Sequence, residues 1–79
     1  MELIPIEVSC YAGCKADEYP LRFTWFEKEF RVTEIIDRWY QTDRDPEVPP
    51  ADFYKVKAHD GGMYILKHNI KEDLWLLVI

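Results

Sequence analysis

Apolar side chains recur at every second position in three separate stretches of this sequence. The first begins at Ile4, the second at Leu21 and the third at Tyr54, and their apolar members are Ile4, Ile6, Val8, Cys10, Leu21, Phe23, Trp25, Tyr54, Val56 and Ala58. A period of two is that of a β-strand with one buried face. The spacing therefore predicts an all-β chain built from short strands.

Turn residues separate these strands. Asp60-Gly61-Gly62 is the strongest hairpin turn in the chain and leads into a return strand from Met63 to His68. A second tight turn is predicted at Glu27-Lys28, and a third from Asn69 to Asp73. The last strand, Leu74 to Ile79, is apolar on both parities, which is typical of a strand covered on both sides or of the closing strand of a small barrel.

The segment from Val32 to Tyr40 fits two structures. Its apolar residues match the spacing of an amphipathic helix, but β-branched and aromatic residues dominate it and no acidic residue completes a cap at Thr33. We expect a long strand with a bulge near Thr33-Glu34, because the apolar parity slips there. The alternative is an α+β fold with one short helix from Thr33 to Tyr40.

The segment Gln41 to Asp52 contains Pro46, Pro49 and Pro50, so it is predicted to be an extended surface loop. Five or six strands joined by tight turns indicate an antiparallel meander. Three Trp, five Tyr and four Phe indicate an enclosed core in which their rings are buried. We therefore predict one domain over residues 1–79, a small antiparallel meander curled into an SH3-like barrel.

Composition excludes several classes of protein. The longest uncharged apolar run, Leu74 to Ile79, is far shorter than the roughly 20 residues that a membrane-spanning helix needs. The N-terminal residues lack the basic and apolar regions of a secretion signal, so we expect a cytoplasmic protein without membrane contact. Two cysteines, Cys10 and Cys14, are too few for a disulfide framework, and we expect reduced thiols.

A set of short motifs resembles a family of small prokaryotic proteins, about 80 residues long, that are uncharacterised and form a domain of unknown function. The motifs span nearly the whole chain: Ile6-Glu7-Val8, Cys10-Tyr11-Ala12-Gly13, Ala16-Asp17-Glu18, Pro20, Phe23-x-Trp25, Val32, Ile36-Asp37-Arg38-Trp39-Tyr40, Tyr54-Lys55-Val56-Lys57, Tyr64-x-Leu66 and Trp75-x-Leu77. The chain departs from the pattern at Cys14 and at Glu27-Lys28. The resemblance implies a single compact domain and no particular reaction.

A fainter resemblance concerns Phe30-Arg31-Val32, the tryptophan that follows, and the return strand with Tyr64-x-Leu66. This order is similar to tail modules of some Y-family translesion DNA polymerases. It would imply a setting in DNA repair.

No motif for catalysis stands out. Ser9 or Cys10 would need a base and an orienting group, and neither a nucleophile elbow nor a glycine-rich phosphate loop is present. Cys10 and Cys14 could form half of a zinc site with His59 and His68 as the other half, but the two histidines lie further apart in sequence than in the usual zinc-binding pair. The acidic pairs Asp17/Glu18 and Asp43/Asp45 are typical of solvated loops. We therefore expect neither an enzyme nor a metal or other cofactor.

Nucleic-acid binding is one candidate function. Arg31, Arg38, Lys55, Lys57 and Lys67 fall on strands that a meander makes neighbours, and aromatic residues lie between them, as on surfaces that stack bases. A formal net charge of −5 opposes polyanion binding, and the alternative is that these cations form solvated cross-strand pairs.

Protein binding is the function that we favour from the sequence. Twelve aromatic residues exceed what a small barrel can enclose, so some of Tyr11, Tyr19, Phe26, Tyr40 and Phe53 are expected at the surface. Clustered beside the Gln41 to Asp52 loop, they would form a protein-interaction patch. The two hypotheses together give six candidate binding residues: Arg38, Trp39, Tyr40, Phe53, Lys55 and Lys57.

Overall fold

A computed structural model of the chain describes residues 2–10, 19–42 and 44–79. These ranges hold six strands and no helix, which confirms the all-β prediction. The strands are β1 (Leu3–Cys10), β2 (Pro20–Trp25), β3 (Lys28–Gln41), β4 (Ala51–Ala58), β5 (Met63–Asn69) and β6 (Leu74–Val78). The alternative with a helix from Thr33 to Tyr40 is wrong, because this segment pairs with β4 as a strand.

The six strands close into a small antiparallel barrel in the order β1-β2-β3-β4-β5-β6, as predicted for an SH3-like barrel. Two strands make the closure possible by changing partner along their length. β1 pairs with β6 over Leu3 to Ile6 and with β2 from Glu7 onwards. β3 pairs with β2 only from Lys28 to Arg31, and with β4 from Val32 to Gln41. The barrel is thus two sheets joined through two shared strands.

β3 carries two interruptions in its register with β4. The first lies between Val32 and Glu34, where a bulge was predicted, and the second lies between Ile35 and Asp37. Each extra residue restores apolar side chains to the inner face after the parity slips. The helix-like spacing of apolar residues in this segment is therefore the signature of two bulges within five residues.

Two hairpin turns illustrate different chemistry. Gly61 has φ of 84° and its N–H donates to the Ala58 carbonyl at 2.9 Å, which gives the predicted turn after β4. The β2–β3 turn is one residue earlier than predicted, with Phe26 and Glu27 at its centre and φ of 52° and 61°. Positive φ at both residues matches the twist of a hairpin, but it is strained for side chains other than glycine.

The core lies between the inner faces of the two sheets. Its buried members come from β2, β4, β5 and β6, and are Phe23, Tyr54, Val56, Leu66, Trp75 and Leu77. The rings of Phe23 and Phe30 stack on one another with centroids 5.1 Å apart. Because side chains alternate along each strand, the neighbours of these residues on β4, β5 and β6 point to the outside of the barrel.

The sequence predicts a cytoplasmic protein with reduced thiols. The described residues contain no helix long and apolar enough to cross a membrane, and cytoplasmic location stays a prediction. The expectation of reduced thiols is wrong at Cys10, which is disulfide-bonded. Four predicted features, at Tyr11, Cys14, Asp17/Glu18 and Asp43, lie outside the described residues.

Candidate functional site

The outer face of the larger sheet is more apolar than an outer face needs to be. The register places two cross-strand rows side by side on it. One row runs Lys55, Ile65, Val78, Leu3, and the other runs Trp39, Phe53, Lys67, Leu76, Pro5. In an antiparallel sheet with one solvated face, these positions are usually polar. The charged residues in and beside these two rows are Lys55, Lys67 and Asp37, which lies opposite Lys55.

These rows form a groove of about 390 Å³, which we call the outer groove. It is lined by Leu3, Trp39, Gln41, Phe53, Ile65, Lys67 and Val78. Leu3 is 47% exposed, and the aromatic and β-branched residues of the lining are half-buried. The groove therefore presents apolar surface to solvent in a concave shape, which is the usual form of a binding site.

A stacked aromatic pair forms one wall of the outer groove. Trp39 and Phe53 lie directly opposite one another on β3 and β4, with ring centroids 5.4 Å apart and planes within 5° of parallel. The Trp39 indole N–H donates to the Gln41 side-chain oxygen at 3.4 Å. Cross-strand aromatic pairs of this kind stabilise a sheet, and here the two rings together form the wall of the groove.

Positive charge borders the apolar wall. The Lys67 ammonium lies 5.8 Å from the centre of the Phe53 ring, in the range of a cation–π contact. Among the described residues, the ion pairs involve neither Lys67 nor Lys55, although Asp37 is opposite Lys55 in the register. The ammonium of Lys67, which lines the groove, is thus available to an anionic group of a ligand, and Lys55 lies next to the groove residue Ile65 in the register.

The proline-rich connection between β3 and β4 extends the groove at one end. Val48 and Pro49 line a small cleft of about 80 Å³ together with Gln41, Phe53 and Lys67, which also line the outer groove. The connection is shorter at both ends than the loop predicted from Gln41 to Asp52, because Gln41 belongs to β3 and Ala51 and Asp52 belong to β4. Val48 is 41% exposed and adds to the apolar surface.

The six predicted binding residues do not all share this site. Trp39, Phe53 and Lys55 lie on the outer face as neighbours. Lys57 is on the same face but lies two residues further along β4, opposite Glu34 and Met63.

Arg38 and Tyr40 belong to the opposite face of β3. Arg38 lies 5.0 Å from the centre of the buried Tyr54 ring and pairs with Asp52 at 3.8 Å. Burial raises the pKa of the Tyr54 hydroxyl above its usual value, while the Arg38 charge opposes that shift. Tyr40 is 59% exposed and is opposite Asp52 in the register. These two residues were predicted from composition, which does not distinguish the two faces of a bulged strand.

The most exposed aromatic residues do not gather in one patch. Phe26 is 76% exposed at the β2–β3 turn, where its ring lies 4.8 Å from that of Trp25. Tyr40 is at the far end of β3, and Tyr19 precedes β2. Of the aromatic residues expected at the surface, Phe53 lines the cleft beside the proline-rich loop, where it stacks on Trp39, and both rings are half-buried.

The two histidines have hydrogen-bonding partners of their own, and Cys10 is disulfide-bonded. His59 Nδ1 accepts the Arg31 backbone N–H at 3.0 Å, and His68 Nε2 lies 2.8 Å from an Asp73 carboxylate oxygen. Within the described ranges, no group of three or more His, Cys, Asp or Glu side chains is arranged to hold a metal ion.

Sequence reasoning missed the aliphatic side of the groove, namely Leu3, Ile65 and Val78. A signal for it was present, because β6 is apolar on both parities and its outward residues must therefore meet something other than water. What could not be read from the sequence is which strands lie beside β6.

Comparison of the chain with protein-family models, with curated proteins and with solved structures gives no match. Its site is therefore defined by geometry alone: an apolar groove on the outside of a closed barrel, with Lys55 and Lys67 in no ion pair among the described residues.

Proposed function

We propose that this domain is a non-catalytic protein-interaction module whose binding surface is the outer groove. One observation carries the proposal: the Trp39–Phe53 stack and three aliphatic residues form a solvent-facing groove of about 390 Å³ on a face that the fold itself does not bury. Small ligands and side chains usually bind in concave surfaces whose lining is mostly apolar with a few polar groups.

The chemistry of the lining indicates the ligand. Apolar walls accept aliphatic or aromatic side chains, and the ammonium groups of Lys55 and Lys67 favour a carboxylate beside them. The ligand that fits is a short extended segment of another protein, with apolar side chains next to at least one acidic residue. Side-chain insertion supplies the affinity, since the strand rows under the groove are already paired with one another.

A single-stranded nucleic acid is the competing ligand, because stacked rings beside lysines also suit bases and phosphates. The charge of the chain favours the peptide. Fifteen acidic and ten basic residues give a net charge of −5, which repels a polyanion more strongly than it repels a peptide with few carboxylates. A DNA-repair setting stays a prediction from the fainter resemblance.

The test is selection from a phage-displayed library of short linear peptides, followed by affinity measurements on the winners. We expect apolar sequences with acidic residues, and we expect Phe53→Ala to weaken their binding by about tenfold or more. Phe26→Ala is the control, because it removes an aromatic ring that is exposed at the β2–β3 turn and does not line the groove, and it should leave affinity unchanged.

Three results would refute the proposal. They are a library that yields no peptide, peptides that bind Phe53→Ala as well as the original chain, and stronger binding to oligothymidine that falls steeply with salt. The last result would instead support single-stranded nucleic acid as the ligand.

A further inference from the structure

Beyond Arg31, one edge of β3 carries no neighbouring strand among the residues that the structure describes. β2 pairs with β3 only up to Arg31, whereas β4 continues along the other side to Gln41. Among the described residues, no backbone hydrogen bond outside the β3–β4 ladder reaches residues 33–41. An open edge of this kind is a template for a further strand.

The regular part of this edge is short and well defined. The second bulge ends at Asp37, and from there five consecutive residues pair with β4 without interruption. The Arg38 N–H donates to its neighbour's carboxylate, Asp37 Oδ1, at 2.8 Å, so it points away from β4. By the alternation of an antiparallel ladder, the N–H and C=O of Tyr40 also face the open side.

We propose that a second copy of this chain adds its own β3 at this edge, antiparallel, to form a two-fold dimer. A two-fold axis perpendicular to the sheet leaves the outer faces of both copies on the same side of the joined sheet. Residues that lie opposite one another across the dimer must therefore both have odd numbers or both have even numbers. With the axis at Trp39, Arg38 of each copy is opposite the other copy's Tyr40, and both pairs exchange two N–H···O bonds.

This register is self-complementary in its side chains. It places an arginine beside a tyrosine ring twice and Asp37 opposite Gln41 twice. The two Trp39 residues meet at the axis as a non-hydrogen-bonded pair, where side chains approach most closely. They would extend each Trp39–Phe53 stack across the dimer. On the outer face, the aromatic row of one copy becomes continuous with that of its partner.

The neighbouring registers are poorer. Moving the axis to Arg38 sets two arginines directly opposite each other, and moving it to Asp37 sets two carboxylates opposite each other, both of which are unfavourable. Moving it to Tyr40 takes the pairing past Gln41, the last residue of β3. Charge and strand length thus select the Trp39 register.

The experiment is sedimentation equilibrium over a wide range of protein concentration, comparing three chains. The original chain should show a weak monomer–dimer equilibrium. Tyr40→Pro removes the outward N–H and should weaken association by about tenfold or more, because each copy loses a donor in the interface. Tyr40→Thr loses the same ring but keeps the N–H, and it should associate more strongly than Tyr40→Pro.

A variant with the opposite sign sharpens the test. Asp37→Ala frees the Arg38 N–H from its intramolecular acceptor, and we expect dimerisation several-fold tighter than in the original chain. If circular dichroism shows that Tyr40→Pro does not fold, Trp39→Lys replaces it, because it sets two ammonium groups at the axis without altering the backbone. A chain that is monomeric at every concentration would overturn the proposal. A dimer that is unaffected by Tyr40→Pro, or by Trp39→Lys, would do the same.

Discussion

Ile65 and Leu66 are neighbours on β5, and both are apolar, but they lie on opposite faces of the sheet. Leu66 is fully buried at 0% exposure among the core residues, whereas Ile65 lines a groove open to solvent. The same contrast holds on β4 between buried Tyr54 and half-buried Phe53. The fold needs one apolar face to form its core. It does not need the second, so the second face is available for binding.

The largest expected effect comes from truncation on the inner face. Leu66→Ala removes a buried side chain from the centre of the barrel, and the surrounding residues cannot fully collapse into the space. We expect a loss of about 2–5 kcal/mol in the free energy of unfolding, measured by urea denaturation. A loss below about 1 kcal/mol would show that the inner face is not the core.

The matched truncation on the outer face should separate stability from binding. Ile65→Ala takes away part of the groove lining and some β-propensity, so we expect the free energy of unfolding to fall by no more than about 1 kcal/mol. The affinity for a selected peptide should fall by about tenfold, measured by fluorescence anisotropy. Equal losses of stability at Ile65 and Leu66 would remove the distinction between the faces.

A change outside both faces should raise stability and leave binding alone. Glu27 has φ of 61° in the β2–β3 turn, which glycine adopts without a steric penalty. Glu27→Gly is expected to stabilise the protein by about 0.5–1 kcal/mol, seen as a higher urea midpoint. Peptide affinity should not change, since the turn does not line the groove. A lower midpoint would mean that some contact of Glu27 outweighs the strain.

The smallest expected effect is on the titration of Asp60, an exposed residue in the turn between β4 and β5. The Tyr64 hydroxyl donates to Asp60 Oδ2 at 2.7 Å and the Gly62 N–H donates to Oδ1, and these hydrogen bonds lower the pKa of Asp60 from its usual 3.8. Because the pKa of Asp60 is lower in the folded than in the unfolded protein, its hydrogen bonds stabilise the folded protein at pH values above the unfolded-state pKa. That contribution is lost as the pH falls through the folded-state pKa. Tyr64→Phe should move the pKa of Asp60 back towards 3.8 in an NMR titration. An unchanged pKa would mean that the hydroxyl contact does not persist in solution.

The strand pattern could be predicted from the sequence because period two is a local property. The six strands, the turn at Asp60-Gly61-Gly62 and the first bulge of β3 all follow from alternation and turn residues. The position of the β2–β3 turn could not be predicted, since neither Phe nor Glu is a residue type that usually adopts positive φ. The groove depends on which strands become neighbours, so the sequence yielded Trp39 and Phe53 but not Val78 or Leu3. Arg38 was grouped with them because the prediction rested on the residue types along neighbouring strands and did not assign adjacent residues to opposite faces.

Chemical-shift mapping tests the outer groove most directly. A selected peptide is titrated into ¹⁵N-labelled protein, and the backbone amides and the Trp39 indole N–H are followed. We expect the largest shifts at Trp39, Phe53, Ile65, Lys67 and Val78, with little change at Phe26 or at Gly61 on other parts of the barrel. Shifts centred on the Phe26 turn, with the Trp39 indole unmoved, would contradict the assignment of the binding surface to this face.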